Sequence, residues 1–174
     1  MAVRWRIAIL LAVITTINYI DRSVFGVVAP VIRGEFGIND TDYGLITSGF
    51  LFAYAVGQLI SGPVIDRLGT KRAFSMAAIF WSLATVLHAL GRGLWSFFTL
   101  RVVLGLAEAA NFPAASKAVA QWFPANERAT AVAIFMLGAG LGAIITPPLA
   151  VWTMQSLGWQ WARSEEHTSE LQSR

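Results

Sequence analysis

Residues 43–72 read YGLITSGFLFAYAVGQLISGPVIDRLGTKR, and this stretch decides the fold. Its first 23 residues, Tyr43–Ile65, contain no Asp, Glu, Lys or Arg. As a helix rising 1.5 Å per residue they extend about 34 Å, enough to cross a hydrocarbon layer about 30 Å thick. Asp66-Arg67-Leu68-Gly69-Thr70-Lys71-Arg72 follows, and apolar sequence resumes at once with Ala73. The stretch predicts a membrane helix that turns back at a short surface loop of net positive charge.

Working outward, four more runs repeat the first half of this pattern: Ile7–Ile32, Ala73–Leu90, Leu94–Ser116 and Ala129–Leu157. Hydrophobic residues make up 56% of the chain and charged ones 13%, with a mean hydropathy of +0.59, which excludes an ordinary soluble domain. Spans of this length must be helices, because backbone polar groups in lipid have no water to bond. The expected class is therefore all-α and polytopic. The absence of cysteine excludes a disulfide framework and a thiolate metal site, and no cofactor-binding loop is present.

A pI near 9.8 could suggest nucleic acid, but the basic residues are distributed as topology signals. Arg4, Arg6, Arg67, Lys71, Arg72, Lys117 and Arg128 fall on one side of the predicted spans, and Arg33 and Arg92 on the other. That bias predicts a multi-pass protein of the cell's inner (plasma) membrane with a cytoplasmic N-terminus. Residues 1–16 imitate a secretory signal, yet no small-residue cleavage site follows before Asp21.

Four charges lie inside otherwise apolar spans: Asp21 and Arg22 in the first, Arg101 and Glu108 in the fourth. Each costs about 2.5–3.5 kcal/mol at the centre of a bilayer, so such residues face a protein interior or a wet cavity and mark transport pathways. Arg101 and Glu108, seven residues apart, fall within about 20° of one helix face. Thr15, Asn18, Asp21 and Arg22 form a polar stripe about 120° wide. A structural ion-pair network is the alternative reading. His88 stands alone near the outer end of the third span and reads as an interfacial or satisfied residue; no metal constellation is present. Gly138, Gly140 and Gly142, followed by Pro147-Pro148, predict close helix packing and a kink. Trp5, Trp95, Trp122, Trp152, Trp159 and Trp161 sit near span ends, where indoles anchor at the interface.

Gly62-Pro63-Val64-Ile65-Asp66-Arg67-Leu68-Gly69-Thr70-Lys71-Arg72 resembles the loop signature of the major facilitator superfamily, with Thr70 departing from the commoner basic residue. A narrower resemblance lies in Asn18-Tyr19-Ile20-Asp21-Arg22, in the run from Arg101 to Glu108 continued by Ala109-Ala110-Asn111-Phe112-Pro113, and in Gln121–Arg128. These look like the anion:cation symporters, a branch that includes glucarate, galactonate and hexuronate permeases and sialin-type vesicular transporters. The resemblance covers residues 1–162 and implies five of the six helices of an N-terminal domain built from inverted three-helix repeats, with the first and fourth helices in corresponding places. It also implies that a C-terminal half is needed for transport. Arg163–Arg174 is polar and unlike what precedes it; it looks like a translated sequencing adapter, so the chain reads as a truncated piece in which residues 163–174 are not native.

What this implies is alternating-access transport of a small organic anion, such as a sugar acid, together with protons. Arg22 and Arg101 would hold the carboxylate, since a guanidinium donates two parallel hydrogen bonds. Asp21 and Glu108 would carry protons. Asn18, Tyr19 and Asn111 are candidate substrate contacts, with interhelical hydrogen bonding as their alternative role. Gly62, Asp66, Arg67, Gly69, Lys71 and Arg72 would meet Glu127 and Arg128 in a cytoplasmic latch. Rival readings are an exchanger of sugar phosphates or other organic anions, and a non-transporting sensor or assembly subunit. An enzyme is disfavoured, because no nucleophile and base stand at a catalytic spacing.

Overall fold

The computed structural model describes residues 3–88 and 90–156, and these residues contain helices and turns but no strand. The helices are α1 (Val3–Phe36), α2 (Asp40–Leu68), α3 (Thr70–His88), α4 (Leu94–Glu108), α5 (Asn111–Trp122) and α6 (Ala125–Ser156). They make five spans, because α4 and α5 are one predicted span broken at Ala109-Ala110. Pro113 explains the break: it has no N–H for the Ala109 carbonyl, and its ring crowds that oxygen. The fourth span also runs on to Trp122, beyond the expected Ser116, because an amphipathic turn continues the helix after the apolar run stops. Residues 157–174, including Trp159, Trp161 and the tail, lie outside the described residues.

Helix ends follow local chemistry. Asn39 caps α2 by accepting the Asp42 backbone N–H at 2.8 Å, and Asp40 and Asp42 favour the positive end of the helix dipole. A single residue, Gly69, joins α2 to α3 with φ of 77°, a left-handed value that favours glycine. Gly62, expected to help form this turn, instead lies within α2, which continues through Pro63 to Leu68. Asp66 and Arg67 therefore occupy the last turn of a helix rather than a loop.

The most extensive packing joins α1 to α6 and α2 to α4, with α3 laid on α4. Exchanging the first span with the fourth and the second with the fifth converts one of these main pairings into the other, as an inverted repeat requires. Both contacts rely on glycine. A β-carbon on Gly105 would fall 2.6 Å from the Phe50 carbonyl oxygen of α2. One on Gly142 would fall 2.7 Å from the Thr16 carbonyl oxygen of α1, and Gly138 meets Ala12 in the same way. Gly140 faces open space, so two of the three glycines in that run serve the packing. α6 stays helical through Pro147 and Pro148, and the Thr146 hydroxyl donates to the Gly142 carbonyl at 2.6 Å.

The solvent logic of a soluble protein is inverted. Leu59 is 80% exposed and Ile144 73%, whereas Glu108 and Asn111 are 0% exposed. Large apolar side chains outside and polar ones within fit a bundle bathed in lipid. α1, α2 and the 125–152 portion of α6 are each long and apolar enough to cross a membrane. The starts of α1, α3 and α6 meet at one end of the bundle, where Trp5 packs edge-on against Phe123 and Thr70 donates to Gln121 at 3.0 Å. The basic residues predicted to share one side do lie at this end, while Arg33 and Arg92 lie at the other.

Candidate functional site

Halfway along the bundle, α1 and α4 bring their charges together. Arg22 Nε donates to Glu108 Oε2 at 3.1 Å, and Arg22 Nη2 stands 3.1 Å from the same oxygen. Both nitrogens converge on one carboxylate oxygen, so Glu108 Oε1 stays buried with no hydrogen-bond partner. Arg101, seven residues before Glu108 and 4% exposed, does not join the pair; its Nε is buried and unpartnered too. Asp21, adjacent to Arg22 in sequence, points elsewhere and makes no side-chain hydrogen bond or ion pair among the described residues.

Aromatic rings seat both guanidinium groups. Arg22 Cζ lies 4.3 Å from the Tyr54 ring centroid, 5.1 Å from Tyr19 and 5.2 Å from Phe50. Arg101 Cζ lies 3.8 Å from Phe25 and 5.4 Å from Phe50, so Phe50 is shared. A desolvated contact of this kind contributes about 2 kcal/mol and fixes the plane of the fork. Sequence reasoning misses Phe25, Phe50 and Tyr54. The available signal is their spacing, Phe25 three residues after Arg22 and Tyr54 four after Phe50, but which face of α2 meets α1 is not a local property.

Below the ion pair, Asn111 opens α5 at the break in the fourth span. Its Nδ2 donates to Asn18 Oδ1 at 3.4 Å and to Thr15 Oγ1 at 3.5 Å, both long bonds between fully buried groups. Asn18 Nδ2 and Asn111 Oδ1 remain without partners. Tyr19 packs edge-on against Phe112 at 6.2 Å. The polar stripe expected on the first helix therefore meets the fourth span through two contacts, Arg22 with Glu108 and the Asn18–Thr15–Asn111 cluster. A buried polar atom without a partner costs about 1–3 kcal/mol, so these orphaned atoms give the site unused capacity for a polar ligand.

The expected latch is differently wired. Asp66 pairs with Lys117 of α5, and Glu127 accepts from Arg4 of α1 at 2.8 Å. Arg128 donates to the backbone oxygens of Phe123 and Ala120, each at 3.0 Å, closing the end of α5. Direct pairing of Asp66-Arg67 with Glu127-Arg128 is thus not what the structure makes: Lys117 and Arg4 stand nearer to the two carboxylates. His88, which stands alone in sequence, lines a cavity together with Asp21 and Arg101. No group of three or more potential metal ligands occurs among the described residues.

The apolar exterior and the buried ion pair between the first and fourth spans fit a membrane-spanning helical domain. The chain belongs to the Major Facilitator Superfamily, whose family model matches residues 11–162. It is 35% identical over 164 residues to the probable galactarate/D-glucarate transporter of Bacillus subtilis (strain 168), covering 91% of this chain and 36% of that protein. It is 37% identical over 159 residues to the hexuronate transporter of Escherichia coli (strain K12), covering 91% of this chain and 37% of that one. Among solved structures, an inward-facing, unoccupied bacterial homologue of the human lysosomal transporter Spinster superposes with a TM-score of 0.82 at 27% identity, over 94% of this chain and 37% of the other. The chain thus spans a little over a third of the length of these relatives, which are transporters rather than enzymes.

Proposed function

We infer that this chain supplies the N-terminal bundle, residues 1–162, of a secondary transporter that carries a small organic anion, in particular a sugar acid, together with protons by alternating access. One observation carries the reading: Arg22 is shared between a fully buried carboxylate, Glu108, and unfilled bonding capacity around it. A substrate carboxylate at Arg22 competes with Glu108 for the same donors. Displaced from its cation and shielded from water, Glu108 binds a proton, so anion and proton enter as a pair. Arg101 offers a second fork, and the Asn18–Asn111 amides and Tyr19 offer hydrogen bonds to hydroxyls. Two cations and two anions make the resting cluster neutral, and one monoanion with one proton keeps it so.

The relatives support the substrate class, being named for galactarate, glucarate and hexuronate. The test is uptake of a panel of sugar acids into proteoliposomes holding the transporter at the full length of its relatives. Imposed external acidity should drive accumulation without any anion preloaded inside. Uptake that occurs only against a preloaded anion makes the protein an exchanger and overturns the symport reading.

In this reading the N-terminus and the helix ends bearing Arg67 and Arg128 are cytoplasmic in the inner membrane. The latch comprises Gly62, Asp66, Arg67, Gly69, Lys71, Arg72, Glu127 and Arg128, working through Lys117 and Arg4. Exposed pairs contribute only about 0–1 kcal/mol each, so they adjust the balance between inward and outward states rather than fix it. The segment has no cysteine, and Lys71 is exposed, so Lys71→Cys reports orientation directly. Labelling by an impermeant maleimide is expected in inverted vesicles and absent from intact cells; the opposite pattern reverses the topology.

A further inference from the structure

The first helix carries two adjacent ionisable residues that face different surroundings. Arg22 engages Glu108, while Asp21 lines a cavity of about 650 Å³ whose walls include neither Arg22 nor Glu108. The cavity follows α1 from Asp21 to Glu35, a rise of about 21 Å, against the last turn of α3 and α4 from Phe97 to Leu104. At its mouth, Glu35 and Arg92 are exposed at the end of the bundle opposite Asp66. The remaining wall is mostly apolar, including Val24, Val28 and Leu104. At about 30 Å³ per molecule there is room for on the order of twenty waters.

His88 stands between the mouth and Asp21. Its Nδ1 lies 2.7 Å from the Ala84 carbonyl oxygen, which can only accept, so Nδ1 bears the hydrogen and the lone pair of the neutral ring is on Nε2. Nε2 is buried and has no protein partner, and one turn deeper the Thr85 hydroxyl is in the same condition. Phe25 packs edge-on to the His88 ring at 6.2 Å and carries the Arg101 guanidinium at 3.8 Å. The charged or titratable groups facing His88 across the cavity are thus Asp21 and Glu35 of α1, Arg92 of the loop that follows His88, and Arg101 of α4.

We propose that this cavity is the path by which protons reach Asp21 from the end of the bundle opposite Asp66, with His88 as the relay, separate from the Arg22–Glu108 ion pair. The proposal rests on the proton-coupled reading above. Once a shift of the side chain opens the buried His88 Nε2 to the cavity, a proton from water binds it, and the same nitrogen passes the proton through water, with the Thr85 hydroxyl available in the chain, to the Asp21 carboxylate. His88 returns to the neutral ring and Asp21 becomes the carboxylic acid, so one proton moves and nothing is consumed.

The test uses the full-length transporter in proteoliposomes and records proton entry after an external acid jump, anion uptake as a function of external pH, and counterflow exchange at equal pH. His88→Gln keeps an amide donor for Ala84 but has no group that takes up a proton. It should slow proton entry and pH-driven uptake about tenfold and flatten the external-pH profile, with counterflow and substrate affinity unchanged. Val28→Phe narrows the apolar wall without touching a titratable group, guards against a folding defect in the first variant, and should slow the same step. Normal proton-driven rates and pH profile in either variant, with counterflow intact, overturn the relay. Equal slowing of counterflow and proton-driven uptake by both also overturns it, since that marks a structural role. Proton coupling absent from the unsubstituted protein would instead refute the symport reading itself.

Discussion

Glu108→Gln is expected to abolish accumulation of substrate under a pH gradient while leaving counterflow exchange intact. The side chain is fully buried, and only Oε2 is engaged, by two nitrogens of Arg22. Glutamine preserves the volume and places an amide oxygen where Oε2 accepts, so the contact between α1 and α4 survives in neutral form. What disappears is the proton-binding group. One pH unit corresponds to about 1.4 kcal/mol per proton carried, a tenfold concentration of substrate, and the variant should fall to simple equilibration at a ratio of about 1. Glu108→Ala makes a different prediction. Removing one partner of a buried pair costs about 3–5 kcal/mol, and Arg22 would be left without its counterion, so that variant should be poorly folded. Asp21→Asn should also weaken coupling, since Asp21 is the second carboxylate of the reading and makes no ion pair of its own. If both Glu108→Gln and Asp21→Asn still concentrate substrate when only a pH difference is imposed, proton symport through these carboxylates is wrong.

Arg22→Lys and Arg101→Lys should each weaken binding of a carboxylate substrate by about ten- to a hundredfold although charge is unchanged, as the loss of one charge-assisted hydrogen bond of about 1.5–3 kcal/mol predicts. Arg22 is placed by Tyr54, Tyr19 and Phe50, and Arg101 by Phe25 and Phe50, so each fork is presented in a fixed plane. An ammonium has no plane to fix and donates to one oxygen at a time. The loss should be larger at Arg22, whose substitution also frees Glu108 from its partner. Isothermal titration on the purified full-length protein measures both effects. Near-normal affinity in both variants would make these arginines structural.

The lines of sequence that predicted most were those whose physics is local. Tyr43–Ile65 reveals a membrane helix because transfer of each side chain into hydrocarbon is a property of that side chain, and the turn at Gly69 follows from its backbone freedom. The same locality explains the errors. The fourth span was expected to end at Ser116, since apolar content stops there, whereas hydrogen bonding carries the helix to Trp122. Gly62 was expected, with Gly69, to permit a tight turn through glycine's backbone freedom, yet α2 continues through it.

By itself, then, the sequence determined that the chain is an all-α membrane bundle, which ends of its helices share a side, and that the first and fourth spans carry buried charge. Tertiary structure alone decided which partners those charges meet: Arg22 meets Glu108, Asp21 turns to a cavity with His88, Arg101 rests on Phe25, and Lys117 and Arg4 pair with Asp66 and Glu127. The physical reason is rotational. Two residues side by side on a helix differ by about 100° in direction, so the phase of each helix about its axis decides which partner each one meets. That phase is set by close contacts between distant residues, Gly105 against Phe50 and Gly142 against Thr16, and no pattern within a single helix encodes it.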